Sequence, residues 1–128
     1  MPWRQEWSSE NPRIDEEHRR LYRLMGHLEH AIVEDSRPDR TAKAIGLLCD
    51  RMAAHFDVEE TVAAQADTES CTILRDDHTN LLWILDRLRA VPASDKGHRV
   101  ETLREFMGAL SRHDNDVDVP LFRMMAQH

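Results

Sequence analysis

The sequence predicts an all-α fold, namely an antiparallel up-down-up-down four-helix bundle preceded by an N-terminal arm. Its apolar residues recur at alternating steps of three and four in four long stretches, which is the spacing of one helix face. Only four glycines and five prolines occur among 128 residues, and no segment alternates like a strand. Short connections between long helices favour antiparallel neighbours. We therefore expect a single domain over residues 1–128.

Residues 1–11 form the predicted arm. Trp3 and Trp7 would have no reason to occur in a solvated segment, so we expect both rings to pack onto the bundle surface. Either Asn11 or Asp15 is suited to cap the helix that follows, because both residue types accept hydrogen bonds from free backbone amides.

The first two helices, about 12–35 and about 38–66, each place ligand-type residues inside an apolar stripe. The first stripe contains Ile14, His18, Leu21, Met25, Leu28 and Ile32. The second contains Ile45, Leu48, Met52, His55, Glu59 and Val62. His55 and Glu59 are one turn apart, so both should face inward. The turn between these helices is predicted at residues 36–39, which include Pro38.

The third and fourth helices repeat this arrangement. After a short break at residues 67–70, the third should run to about Ala90 and the fourth from about His98 towards Pro120. The third stripe contains Cys71, Leu74, His78, Leu81, Leu85 and Leu88. The fourth contains Val100, Leu103, Met107 and Leu110 and leads to His113. Each of the four helices therefore delivers a histidine to the predicted interior.

The end of the fourth helix should be irregular. His113 and Asp118 are five residues apart, which in a regular α-helix separates their directions by roughly 140°. Pro120 has no amide hydrogen and its ring clashes with the carbonyl of Asp116, so the helix must loosen or kink here. A widened turn would bring Asp118 back towards His113. Asp114 and Asp116 are the competing carboxylates.

Four histidines and two carboxylates thus occupy positions where a bundle ordinarily places leucine. Burying so many ionisable groups is costly unless they converge on a metal, so we expect a metal site. The candidate ligands are His18, His55, Glu59, His78, His113 and Asp118. The remaining histidines fall off the stripes or end the chain, and we interpret them as exposed or structural. They are His27, His30, His98 and His128.

Net charge, hydropathy and cysteine content indicate the compartment of the protein and the partners that it should not bind. A net charge of -7 argues against nucleic-acid binding, which depends on a basic surface. No apolar run approaches the roughly 20 residues that a membrane span needs. Cys49 and Cys71 are too few for a disulfide framework, and no N-terminal signal segment precedes them. We therefore expect a cytoplasmic protein.

Three segments resemble the hemerythrins, in particular the single-domain bacterial ones. They are IDEEHRRLY around His18, HFDVEE around His55 and Glu59, and HDNDVD from His113 to Asp118. The resemblance implies a four-helix bundle that holds two non-haem iron ions. It implies that Glu59 and Asp118 bridge the ions together with an oxo or hydroxo group. One ion would then bind His18 and His55, and the other His78 and His113.

One position departs from the family pattern. The third helix of hemerythrins normally offers HxxxH, whereas here Leu74 stands in the place of the first histidine and His78 in that of the second. Leucine cannot ligate, so each ion is left short of six ligands and exogenous ligands must fill more positions. The residues expected to line the ligand pocket are Leu21, Tyr22, Leu74, Leu81 and Leu82.

We expect the protein to bind dioxygen, or a similar small diatomic ligand, for storage, delivery or sensing, rather than to act as an enzyme. No nucleophile or general base outside the predicted site stands out. Two alternatives remain open at this point. The additional open positions would suit a di-iron enzyme acting on peroxide or nitric oxide. A domain that has lost effective metal binding would instead serve as a sensor or an interaction module.

Overall fold

The computed structural model describes residues 3–34 and 37–127, and it confirms the four-helix bundle. A 3-10 turn at Gln5–Trp7 is followed by α1 (Pro12–Glu34), α2 (Pro38–Ala64), α3 (Thr68–Ala90), α4 (Lys96–His113), a π-helical segment (Asp114–Asp118) and α5 (Val119–Ala126). Each long helix packs against the next one along the chain, and α4 packs against α1. These contacts close the bundle around a common interior.

The start of α1 shows which of the two candidates, Asn11 or Asp15, caps the helix. Asn11 is the cap, because its Oδ1 accepts the backbone N–H of Arg13 at 3.1 Å. Asp15 is instead buried and holds the arm. Its carboxylate accepts the Ser8 hydroxyl at 2.7 Å and the Ser9 amide at 2.8 Å. The arm is therefore anchored to the first turn of α1 by hydrogen bonds.

The arm lies on the bundle, as its tryptophans predict. Trp3 and Trp7 pack against the main hydrophobic core. Arg123 of α5 donates to the backbone carbonyls of Ser8 at 2.8 Å and Glu6 at 2.9 Å. The two ends of the described chain are thus fastened to each other and to α1.

The fourth helix differs from its prediction at both ends. It begins at Lys96, two residues early, because Asp95 accepts the His98 amide at 3.1 Å as an N-cap. It also does not end towards Pro120, since helical structure continues to Ala126. In the π-helical segment the Val119 amide bonds to the Asp114 carbonyl, five residues back. This wider turn places Pro120 near the start of α5, where its missing N–H breaks no ladder.

The apolar interior consists of a main core and a smaller cluster. The main core runs through the middle of all four long helices. The smaller cluster contains Ile14, Ala63, Cys71, Leu74 and Phe122. Leu74 therefore packs between residues of α1, α2 and α5 with no exposed surface. The candidate ligands continue these apolar stripes.

The histidines outside the stripes are exposed where the structure describes them. His27, His30 and His98 all lie on the surface, whereas His128 is outside the described residues, as is Asp35, the predicted end of α1. Within the described ranges every helix is too short or too polar to cross a membrane.

Candidate metal centre

The six side chains predicted as ligands converge inside the bundle, and we call them the candidate centre. They are His18 of α1, His55 and Glu59 of α2, His78 of α3, His113 of α4 and Asp118 of the π-helical segment. None is more than 5% exposed. The site is therefore built by every long helix, and it depends on their packing together.

The candidate centre divides into two overlapping sets whose ligand atoms all lie within 4.8 Å of one another. The first, the His18 group, contains His18, His55, Glu59 and Asp118. The second, the His113 group, contains Glu59, His78, His113 and Asp118. Each group is large enough to hold one metal ion, and the two carboxylates belong to both.

Glu59 divides its two oxygens between the groups. Its Oε2 lies 3.1 Å from Nε2 of both His18 and His55. Its Oε1 lies 3.1 Å from Nε2 of His78. Two donors at 90° on one ion, each about 2.1 Å from it, are about 3 Å apart. The spacing around Glu59 is the one that a bridging carboxylate needs.

The two oxygens of Asp118 also face different histidines. Its Oδ1 lies 2.9 Å from Nε2 of His113, and its Oδ2 lies 3.6 Å from Nε2 of His18. The π-helical segment makes this possible, because an i to i+5 spacing returns a side chain to the same face. Asp116 is exposed on the same segment. The loosened turn thus directs Asp118 inward and Asp116 to solvent.

Three further carboxylates, the outer carboxylates, hold the other ring nitrogen of three histidines. The pairs are Glu17 with His55 Nδ1 at 2.6 Å, Glu60 with His78 Nδ1 at 2.8 Å, and Asp77 with His113 Nδ1 at 2.9 Å. A carboxylate at Nδ1 fixes the tautomer and turns Nε2 towards the centre. The hydrogen bond from His55 is also the main reason that the pKa of Glu17 lies below its ordinary value.

These outer carboxylates were not predicted from the sequence. Asp77 lies outside both groups. A signal was present, however, because each outer carboxylate is adjacent in sequence to a residue of the candidate centre. Glu17 precedes His18, Glu60 follows Glu59 and Asp77 precedes His78. Such a residue lies on the flank of its own helix and reaches the neighbouring helix.

The atoms that face the middle of the candidate centre lack hydrogen-bond partners. They are Nε2 of His55, His78 and His113, Oε1 of Glu59 and both oxygens of Asp118. Several lie within about 3 Å of an opposite atom, but not along the direction that a hydrogen bond requires. Buried polar atoms without partners are costly, and metal ions would satisfy all of them. The residues therefore fit a pair of metal ions.

Without metal, His55, His113 and Asp118 hold their protons more tightly than they would in water. Burial by itself lowers the pKa of His55, but Glu59 and Glu17 outweigh it and raise that pKa to about 9. The pKa of His113 likewise rises to about 10, chiefly through Asp118. Burial and the neighbouring Glu59 charge raise the pKa of Asp118 to about 7. Metal ions must displace these protons to bind.

A cavity of about 350 Å³ opens on the surface beside His113. Its described walls are Asp77, Asn80, Leu81, Ile84, Ala109, Arg112, His113, Asp116 and Val117. Of the five residues predicted to line the ligand pocket, these walls include Leu81 but not the others. Leu21, Tyr22 and Leu74 are buried elsewhere in the interior, and Leu82 is half-buried. Closer to the centre, Phe56 stacks on the His78 ring at 3.9 Å.

A second buried polar pair stands next to the His18 group. The Tyr22 hydroxyl donates to Oδ2 of Asp114 at 2.7 Å. Burial, followed by the charge of Asp114, raises the pKa of Tyr22 far above its ordinary value, so the hydroxyl remains a donor. The sequence predicts Tyr22 as a residue of the ligand pocket and Asp114 as a competitor of Asp118. In the structure these two side chains are joined by a hydrogen bond.

A protein-family match supports the interpretation of this cluster as a cation site. The model of the hemerythrin HHE cation-binding domain matches residues 11–126, which include the whole candidate centre. Comparison with curated proteins and with solved structures gave no significant match. Because the match spans nearly the whole chain and the bundle carries the His, Glu and Asp cluster of a cation site, this chain belongs to the hemerythrin family.

Proposed function

We propose that this protein is a non-haem di-iron protein that binds dioxygen, or a similar small diatomic ligand, for storage, delivery or sensing. The main support for the proposal is the position of the oxygens of Glu59 and Asp118. Each carboxylate offers one oxygen to each histidine pair. One ion per group, with both carboxylates shared, satisfies the inward-facing atoms of the candidate centre that lack a partner.

In this proposal His18 and His55 hold one iron ion, and His78 and His113 hold the other. Glu59 and Asp118 would each offer one oxygen to either ion, and an oxo or hydroxo group would complete the pair. When bound, the two ions supply the electrons and the open coordination positions that reversible dioxygen binding requires. Two imidazoles and two carboxylate oxygens per ion leave fewer than six protein ligands, so small ligands have room to enter.

The protein's own residues then control the environment of the pair. The outer carboxylates keep three Nε2 atoms directed inward, which holds the ligand geometry. Leu81 and Phe56 are buried beside the histidines, since Leu81 lines the cavity next to His113 and Phe56 stacks on His78, and they limit the access of water to the centre. A dry interior strengthens the electrostatic interactions inside it and protects a bound ligand from proton exchange with solvent.

A di-iron enzyme acting on peroxide or nitric oxide is the second candidate. It is favoured by Leu74, which offers no donor one turn before His78 and packs among apolar residues. The ion of the His113 group therefore has one imidazole fewer than the family pattern offers. More open positions allow a second small molecule or a solvent molecule to reach the ion, which favours turnover over reversible binding.

We also propose a cytoplasmic setting. Cys49 and Cys71 are both buried free thiols, and reducing compartments keep cysteines in this state. Iron in its reduced form is also more available in such a compartment. Measurement of free thiols in the native protein tests this setting. Cys49 and Cys71 should both react as free thiols, and a disulfide would contradict the proposal.

The functions separate in one series of measurements. Iron per chain is determined first, and the absorption spectrum of the reduced protein is then recorded under argon, under air and under argon again. A visible band that appears with air and disappears on its removal supports oxygen binding. Bleaching with consumption of added hydrogen peroxide over many turnovers supports the enzyme. Purification without iron, and no iron uptake on reconstitution, would contradict both.

A further inference from the structure

The Tyr22–Asp114 pair leaves one carboxylate oxygen free beside the His18 group. Asp114 is 3% exposed, and its Oδ2 is occupied by the Tyr22 hydroxyl at 2.7 Å. Its Oδ1 is buried and has no hydrogen-bond partner. The nearest site atom recorded for this oxygen is Nε2 of His18, at 3.9 Å. A charged oxygen therefore faces the candidate centre unsatisfied.

Asp114 does not belong to either four-residue group. Its Oδ1 lies further from His18 than Oε2 of Glu59, at 3.1 Å, or Oδ2 of Asp118, at 3.6 Å. It is therefore the most distant of the three carboxylate oxygens recorded around His18 Nε2. A small ligand bound next to His18 would have this oxygen as a neighbour, whereas the His18 group already offers an ion four donors without it.

The arm holds this oxygen in position. The Trp7 ring packs on the Tyr22 ring with centroids 5.7 Å apart, and Arg123 fastens the residues that follow Trp7 through the Ser8 carbonyl. Tyr22 is 2% exposed. Because the donor of the Asp114 hydrogen bond is itself fixed by packing, the free oxygen has little freedom to turn away from His18.

We propose that Asp114 determines which small ligands the centre accepts on the His18 side. Its free oxygen accepts a hydrogen bond from a ligand that carries an O–H or N–H group, such as hydrogen peroxide. It opposes an anion that carries no proton, such as azide, by charge repulsion and by the lack of a donor. This inference rests on the proposed di-iron function, and it makes Asp114 a specificity-determining residue rather than a metal ligand.

Azide titration of the iron-loaded protein, followed by its absorption band, tests the proposal. Asp114→Asn keeps an acceptor for Tyr22 but removes the charge and adds an N–H donor. We expect azide to bind the variant at least about tenfold more tightly, because a nearby like charge is removed from a site of low dielectric. Asp116→Asn removes an exposed carboxylate two residues away and should leave azide affinity unchanged. Iron per chain should be the same in all three proteins.

Tyr22→Phe separates charge from structure. It breaks the hydrogen bond to Asp114 but keeps the carboxylate, so the gain in azide affinity should be smaller than in Asp114→Asn. A gain in Tyr22→Phe as large as that in Asp114→Asn would show that loosening of the site, not charge, controls affinity, and would overturn the proposal. Asp114→Ala provides a second neutral variant if Asp114→Asn is unstable, and it should also bind azide more tightly.

The outcomes distinguish this inference from the function beneath it. An unchanged protein that contains no iron contradicts the di-iron function and the inference together. An unchanged protein that contains iron and binds azide, with the same affinity in Asp114→Asn and Asp116→Asn, overturns the inference alone. Azide binding that is detectable only in the neutral Asp114 variants supports it most strongly.

Discussion

Glu59 connects the two halves of the candidate centre, since its oxygens face different histidines. Glu59→Ala should lower iron content and should cost about 3 kcal/mol of unfolding free energy in the iron-loaded protein, because it leaves buried groups without a counter-charge. Metal analysis and chemical denaturation measure both quantities. Asp57→Ala, an exposed change on the same helix, is the control. Unchanged iron content in Glu59→Ala would show that Glu59 does not hold the metal.

Asp118 and Asp116 are a matched pair on one π-helical segment. Asp118→Ala should reduce the protein to one iron ion per chain or none, whereas Asp116→Ala should retain the full content, because only Asp118 faces inward. Iron per chain after identical reconstitution decides between them. The reverse ranking would mean that the segment presents its other face to the metal.

Much of the candidate centre could be predicted at this scale, and the reason is periodicity. His18, His55 and His78 occupy stripe positions, so helix spacing alone directs them inward. The outer carboxylates could not be predicted in that way. Asp77 reaches His113 across a helix pair, and such a contact depends on the relative rotation of α3 and α4, which no spacing within one helix encodes.

At the scale of the elements, α3 carries the position at which we expect the chain to depart from the family pattern. Leu74 and His78 are four residues apart and both buried, so they share a face of α3. Leu74→His should complete the five-histidine set and raise iron occupancy and the lifetime of the oxygen adduct. Without metal the new imidazole lies among Ile14 and Phe122, so the metal-free variant should lose about 2 kcal/mol of stability.

Iron content and the visible band, recorded before and after the change, test this prediction. Ile73→His, an exposed change on the neighbouring position of α3, is the matched control and should alter neither quantity. If Leu74→His leaves both the iron content and the spectrum unaltered, Leu74 does not face the metal and the alignment of α3 with the family pattern is wrong.

The helix ends show where sequence reasoning reaches its limit. The loosened turn near Pro120 was predicted from the missing amide and the ring clash, and a π-helical segment occurs there. The continuation of the helix to Ala126 was not predicted, because a proline usually ends a helix. Here the wide turn shifts the hydrogen-bond register, and Phe122 and Arg123 of α5 then gain contacts with the core and the arm.

For the molecule as a whole, the four-helix bundle follows from the stripes and the short connections, and the structure confirms it. The position of the arm was harder to predict in detail. Its tryptophans indicate packing, but the hydrogen bonds of Ser8 and Ser9 to Asp15 depend on the path of a segment without periodicity. The hydrogen-bond partners of an irregular segment depend on tertiary contacts, and no local sequence pattern indicates them.

The stability of the metal-free protein should fall as pH rises. The pKa values of His55 and His113 are raised to about 9 and about 10, so their stabilising contribution is complete below the unfolded value of about 6.5 and is lost on the way up to the folded values. Asp118, raised to about 7, loses its contribution earlier, between about pH 4 and pH 7. Above neutrality, His55 and His113 therefore account for the further loss of stability.

Denaturant unfolding of the metal-free protein at pH 6 and pH 9.5 checks this expectation, and the unfolding free energy should be lower at pH 9.5. The stability that iron adds to the metal-free protein should instead increase as pH rises, because protons and metal ions compete for the same nitrogens. A metal-free protein that is equally stable at both values would show that the histidines do not retain protons in the folded state.

The central claim is that Glu59 and Asp118 are shared between two ions, and iron-edge X-ray absorption tests it most directly. A pair bridged in this way should give about two iron ions per chain and an iron–iron scattering distance in the range of about 3 to 4 Å. The same spectrum should show nitrogen and oxygen neighbours at about 2.1 Å. One iron ion per chain without an iron–iron contribution would contradict the account.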